Sequence, residues 1–424
     1  MSKKQFFLLG ILCFGVLFLY SCSALIKAEF KLGQKNYDEA IPLFKEYLAE
    51  NPDSISARSR LGFAYLKAGR MDNAVEEFEK VLKQEPGEPY SILYLGMAYL
   101  NKKEFRKAIM IWQQFRNKKQ PLVEEEIKRL LTLLQIAESQ QAAKKVLEDE
   151  KRLNTLKPEP NTVAVCYYQD LSPGKSLRAF QKALAAMVIT ELSKVKRFNI
   201  VERLRIQALL EEMQLGQTGI VDPGSAPRVG KLLGAENIVT GTLALGSIQV
   251  TTSISSAAKG GVKGTASAKV EREKFFELPG IITHNVAKIM DVELTPDEVK
   301  AIGIPQTTVY DAFIYYGKGL DALDAGRWQD ARDFFAKAVE LDPKFDMARE
   351  AHGSSPSPSA PSISQIASMA PAALSESVSS DVNNAIEASG GGGHGDDHGD
   401  DHGDDHGGGN GDDHGGGNGG GNGH

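Results

Sequence analysis

From Ala24 onward, small, aromatic and proline positions return every 34 residues. Ala40, Ala74 and Ala108 are 34 apart, and so are Phe44, Phe78 and Trp112. Gly62 and Gly96 keep the same step, as do Tyr65 and Tyr99. Pro52 and Pro86 close the first two units. A period of this length predicts a helix pair per unit. Gly and Ala mark where the two helices cross closely, and the rings fill the space between successive pairs. Proline stops the second helix, because it has no N–H to donate and its ring clashes with the preceding turn. Residues 122–153 continue as helix, with Leu130, Leu131, Leu133 and Leu134 on one face and Glu and Lys on a solvated one. They are expected to cap the array, since an end unit needs a polar outer side. A further unit lies at 312–343, where Gly319, Gly326, Trp328, Ala331, Phe335, Ala338 and Pro343 take the same relative places. One such unit cannot bury a continuous core alone. It is expected to dock on the middle of the chain, on the N-terminal array or on another copy.

The middle of the chain changes period. Residues 156–161 carry two prolines and read as a linker. Thr162 to Tyr168 reads as a buried strand, and Ser176 to Val195 as a helix with Phe180, Leu184, Met187, Val188 and Leu192 on one face. A short strand at 198–201, a helix at 203–213 and a helix opened by Asp222-Pro223 and ended by Gly234 follow. Strands are expected at 237–245, 248–256 and 262–271, the last two joined as a hairpin through Lys259-Gly260-Gly261, with a last helix at 279–290. The order is β-α-β-α-α-β-β-β-α. The fold class is therefore α and α/β multidomain: a helical array, a central α/β domain, a single C-terminal helical unit and a disordered tail.

Two resemblances attach to these residues. The 34-residue units resemble tetratricopeptide repeats. Gly62, Tyr65, Ala74, Phe78, Gly96, Tyr99, Ala108, Trp112, Gly319, Ala331 and Phe335 hold the packing positions of that pattern. In the middle, Asn199-Ile200-Val201-Glu202-Arg203, then Leu209-Leu210-Glu211-Glu212, then Leu232 to Gly241 look like the curli-secretion (CsgG- and HfaB-like) lipoprotein family, over about 162–292. The founding members form a ring-shaped outer-membrane channel to which each subunit lends two long hairpins. This sequence offers one evident hairpin and no aromatic girdle. A spanning strand needs about 9–11 residues with an apolar outward face. The resemblance therefore implies the periplasmic α/β domain without the pore. Glu202 is expected to suit the start of its helix, and Arg203 to pair locally.

The N-terminus adds an address. Lys3 and Lys4 precede an apolar run from Phe6 to Tyr20, and then come Ser21 and Cys22. The run is too short to span a bilayer, which takes about 20 residues, and reads as a secretory signal. A cysteine after the small residue resembles the lipobox of bacterial lipoproteins, which implies cleavage after residue 21 and acylation of Cys22. Ser23, in place of an aspartate, implies sorting to the outer membrane. The expected organisation is a signal at 1–21, repeats over 22–153, the CsgG-like domain over 162–292, a repeat unit over 308–350 and a tail from 351.

Charge and candidate chemistry narrow the reading. The net charge of −6 comes from residues 351–424, which hold eleven acidic residues and no Lys or Arg. The remainder is near neutral and has no basic stripe interleaved with aromatics, so no nucleic-acid partner is expected. Of three cysteines, Cys13 leaves with the signal and Cys22 is the lipidation candidate, which leaves Cys166 as a small core residue. There is no HExxH, GxSxG or phosphate-loop motif, and Gly216-Gln217-Thr218-Gly219 lacks the Gly-Lys-Ser/Thr ending, so no enzyme is expected. His394, His398, His402, His406 and His414 alternate with Asp pairs in a Gly-rich tail. That composition cannot fold. Imidazole with carboxylate could hold a divalent transition metal weakly. The sequence therefore reads as a lipid-anchored outer-membrane protein facing the periplasm. It would act as a scaffold for protein partners in envelope assembly or export of surface material, associating with itself or with an envelope machine. The alternatives are an oligomeric channel subunit and a metal-buffering lipoprotein.

Overall fold

The computed structural model describes residues 24–365, apart from 114, 116–119, 149–156, 173–176, 215–220, 223, 245–247, 361 and 364. The signal segment, Cys22 and the histidines of the tail lie outside the described residues. The N-terminal repeats are helix pairs: α1 (24–33) with α2 (Tyr37–Glu50), α3 (Ile55–Lys67) with α4 (Met71–Gln84), and α5 (Pro89–Asn101) with α6 (Phe105–Gln113). Local chemistry sets their ends. Ser54 caps α3 through the Ala57 amide. Glu88 caps α5 through the Tyr90 and Ser91 amides, with Pro89 just inside. Each pair turns through a left-handed residue, Lys35, Gly69 and Lys103 in order, and Gly326 does the same in the distant unit.

The chain then runs into α7 (Pro121–Glu148), a single helix of 28 residues. Its expected role as a solvated cap is corrected. It packs on α5 and α6 at one end and on the central domain beyond. Glu126, one of the glutamates expected on its solvated face, is buried and meets Arg129 at 3.3 Å, and Gln140, also buried, donates to Glu211 at 2.9 Å.

The central domain is one mixed sheet in the order β3-β1-β4-β5-β6, built from β1 (Glu159–Val165), β3 (Asn199–Ile200), β4 (Ala235–Ala244), β5 (Ile248–Ser256) and β6 (Val262–Val270). A short β2 (Gln169–Asp170), not expected from the sequence, extends beside β4. β1 runs parallel to both β3 and β4, and β4-β5-β6 is an antiparallel meander. The proline-rich linker already belongs to β1 from Glu159, but burial begins only at Thr162, so Pro160 occupies the exposed strand start and Pro158 precedes it. Alternation along β1 feeds two cores. Val163 and Val165 face α8 (Arg178–Leu192) and α11 (Leu278–Ile289). Ala164 and Cys166 face α9 (Arg203–Glu212) and α10 (Ala226–Leu233). Burial pushes the Cys166 thiol up to about 12, where it stays protonated and behaves as a small apolar group.

The hairpin turns at Gly260 and Gly261, both left-handed. Its strands belong to the sheet, and α11 covers β6 closely enough that a Cβ on Gly264 would stand 2.7 Å from Ile289. The last described elements are α12 (Pro296–Ala301), the helix pair α13 (Tyr310–Asp324) and α14 (Trp328–Leu341), and α15 (Asp346–Ser354). The distant unit docks on the middle domain: α13 lies along α8, and α15 returns to α7. Among the described residues, no helix is long and apolar enough to cross a membrane.

Candidate interaction site and interdomain junction

The repeat positions converge on helix crossings. A Cβ on Gly62 would come within 2.7 Å of the Phe78 ring, one on Gly96 within 2.2 Å of Trp112, and one on Gly319 within 2.4 Å of Phe335. Ala74, Ala108 and Ala331 are fully buried beside them. The Trp112 indole N–H donates to the Leu93 carbonyl at 3.2 Å, and the Tyr99 hydroxyl donates to Glu79 at 2.7 Å. Tyr65 is buried, with Lys45 Nζ 5.5 Å from its ring centre. Gly62→Leu is expected to overpack this crossing by about 1–3 kcal/mol. Thermal unfolding of the full chain should show a lowered Tm, and an unchanged Tm would mean that the crossing is misassigned.

The inner helices leave less open surface than a free groove would. Residues 59–66 of α3 and 91–100 of α5 are buried throughout. Phe63 stands between Tyr37 and Tyr94, with ring centres 6.4 and 4.8 Å away. At the third repeat, part of the cover is the chain's own α7. The surface left to a partner on these repeats is therefore the polar outer face of α2 and α4.

The densest chemistry lies where α13 meets α8 and α9. An aromatic cluster forms its apolar half: Phe180 of α8 meets Phe313 of α13 at 4.8 Å, and Phe275 meets Phe313 at 4.9 Å and Tyr310 at 5.3 Å. Next to it the helices almost touch. A Cβ on Gly317 would stand 1.9 Å from the Ala179 carbonyl oxygen. The polar half centres on Asp324 in the last turn of α13. Its carboxylate takes Lys182 Nζ at 2.6 Å, the Arg203 guanidinium and the Tyr167 hydroxyl at 3.1 Å. Lys182 also stands 3.9 Å from the centre of the Tyr167 ring. Burial alone would raise the Asp324 carboxyl, but the charges of Arg203 and Lys182 overcome it and hold the group at about 2. Burial likewise opposes the charge on Lys182, and Asp324 outweighs it, so that ammonium is held above its usual range. Arg203 does not pair locally as expected; its partner is 121 residues away.

A polar cleft of about 400 Å³ opens beside this cluster, with Arg178, Gln207, Glu211, Gln214 and Asp321 in its wall. Its charges engage one another. Arg178 donates to Asp321 at 2.9 Å, and Gln207 to Glu211 at 2.8 Å. Burial raises Glu211, and the amides of Gln207 and Gln140 oppose that rise. No group of three His, Cys, Asp or Glu among the described residues is placed to hold a metal ion.

The sequence carried one unread signal for this junction. Gly317-Lys318-Gly319 puts two glycines on one helix. Gly319 serves the crossing inside the repeat, which leaves Gly317 for a second crossing. Asp324 has no such signal, since a carboxylate near a helix end usually faces solvent.

Comparisons with known families agree with this architecture. Tetratricopeptide-repeat profiles match residues 31–90, 90–118 and 312–345. The profile of the curli production assembly/transport component CsgG matches residues 142–273. The chain thus carries tetratricopeptide repeats on both sides of a CsgG domain. No curated protein matches the chain significantly. Among solved structures, yeast Tom70 aligns at 18% identity over 88% of this chain and 68% of that one, with a TM-score of 0.24. A tetratricopeptide repeat protein from Parabacteroides merdae aligns at 10% identity over 78% of this chain and 97% of that one, also at 0.24. Scores this low carry no argument about role.

Proposed function

We propose that this pairing of tetratricopeptide repeats with a CsgG domain makes the chain a non-enzymatic scaffold. In this reading it is anchored through Cys22 to the periplasmic face of the outer membrane. It would hold protein partners during assembly or export of surface material, in the manner of curli secretion. One observation carries the reading: the larger of the two apolar cores runs without a break from Ala28 in the first repeat, through Val163 and Val239 of the sheet, to Ala348 in α15. A partner gripped by the repeats would be held rigidly against the CsgG domain. The pairing of Arg178 with Asp321, and of Lys182 with Asp324, in the wall of the cleft supports a non-enzymatic role. The hairpin extends the central sheet and carries α11 against Gly264, which favours a periplasmic body over a pore subunit.

Affinity purification from detergent-solubilised envelopes should recover a stoichiometric partner, and the purified protein should conduct no ions in planar bilayers. Rings with step conductance would overturn the scaffold in favour of the channel. Cys22→Ser should abolish labelled-palmitate incorporation and leave an unprocessed precursor. Equal labelling of both forms would remove the anchor.

A further inference from the structure

The first helix breaks the rule that governs the end of a repeat array. A terminal helix has no neighbour on its outer side and needs a polar face there. In α1, Ala24, Ala28 and Leu32 are buried against the rest of the array. On the opposite side, Ile26 is 64% and Phe30 63% exposed. They stand four residues apart, on one stripe of the helix. Lys27 beside them is exposed too.

The place of this stripe in the chain points to its occupant. Ser23 alone separates Cys22 from Ala24. Two residues span at most about 7 Å of chain. With acyl chains on Cys22, α1 therefore begins within the lipid headgroups. Phe30 lies about 6 Å further along the helix than Ile26. Both reach the boundary of headgroups and acyl chains only if α1 lies flat, and amphipathic helices do lie there, with their apolar face sunk about 5–10 Å. A second copy of the chain fits less well. Two side chains fall far short of the roughly 1,000 Å² that a stable protein interface buries.

We infer that Ile26 and Phe30 form a membrane-seating face, which lays α1 flat on the bilayer and fixes the orientation of the whole rigid body. The inference rests on the Cys22 anchor, so its test supplies the anchor chemically. The chain from residue 22 to 424 is coupled through Cys22 to a maleimide phospholipid in phosphatidylcholine vesicles. Cys166 is buried and protonated, so it does not compete. Phe30→Trp places an indole on the face, while Trp112 and Trp328 are buried and give a constant background. Met110→Trp, at an exposed site on α6, is the control.

Brominated lipid should quench the indole at position 30 roughly two-fold and leave the one at 110 unchanged, consistent with the shallow depth of such a face. Equal, weak quenching at both positions would overturn the inference. So would a blue shift at position 30 that grows with protein concentration in the absence of vesicles, because the face would then join copies of the chain. Failure of the anchor in cells is read separately by palmitate labelling and leaves the tethered result standing.

Discussion

Gly317→Val is expected to be among the most damaging single substitutions in this protein. The atom in its way is a backbone oxygen of α8, 1.9 Å from where the new Cβ would lie. A side chain could rotate aside, but a helix carbonyl cannot move without shifting α8 or α13. Overpacking ordinarily costs about 1–3 kcal/mol, and a backbone obstacle puts this site at the upper end. The obstacle also has a direction: it pushes the C-terminal repeat unit away from the sheet domain and separates Phe180 from Phe313. The Tm of the full chain should fall by several degrees, since about 1 kcal/mol shifts a domain of this size by roughly 2–4 °C. Amide exchange in α13 should accelerate before that in α3. Gly33→Ala is the matched control, because a Cβ there meets nothing within 4 Å. Equal Tm values for the two variants would refute the close crossing.

Asp324→Asn should be comparably severe for a different reason. The substitution keeps the shape and removes the charge, leaving Lys182 and Arg203 buried without their anion. Breaking a buried ion pair by deleting one partner costs about 3–5 kcal/mol. The pH dependence carries a signature with a fixed sign. The folded Asp324 carboxyl is held at about 2, below its ordinary value of 3.8. The stability it contributes is therefore complete above pH 4 and is lost as pH falls from there through 2. Urea unfolding of the native chain should weaken across that window by more than unfolding of the variant, which has no carboxyl to protonate. Parallel pH profiles would mean that Asp324 is not held by its two cations.

These two sites also mark where sequence reading stopped. The repeat helices, the strands on both sides of Gly260-Gly261 and the end of α10 at Gly234 were all legible. Each depends on neighbours within one helical pair or one hairpin, so the contact leaves a periodic or local trace. The identity of the central domain was legible for a related reason, since its three short patterns follow in order between Asn199 and Gly241. The sequence by itself thus determined the modules of this protein and the order in which they stand.

The assembly of those modules was decided only in three dimensions. The α13 helix could have docked on the first repeats, on the sheet or on another copy with the same apolar residues. It chose α8 because Gly317 admits the Ala179 backbone, and because Asp324 meets Lys182 142 residues away and Arg203 121 away. The α7 helix likewise read as the cap of the first array, and only the fold put Gln140 against Glu211. A glycine in a sequence says that something comes close without saying what. A lone carboxylate does not announce its distant cation. Such contacts join single residues across long stretches of chain, with no period to betray them, and so tertiary packing alone brought the separate modules together.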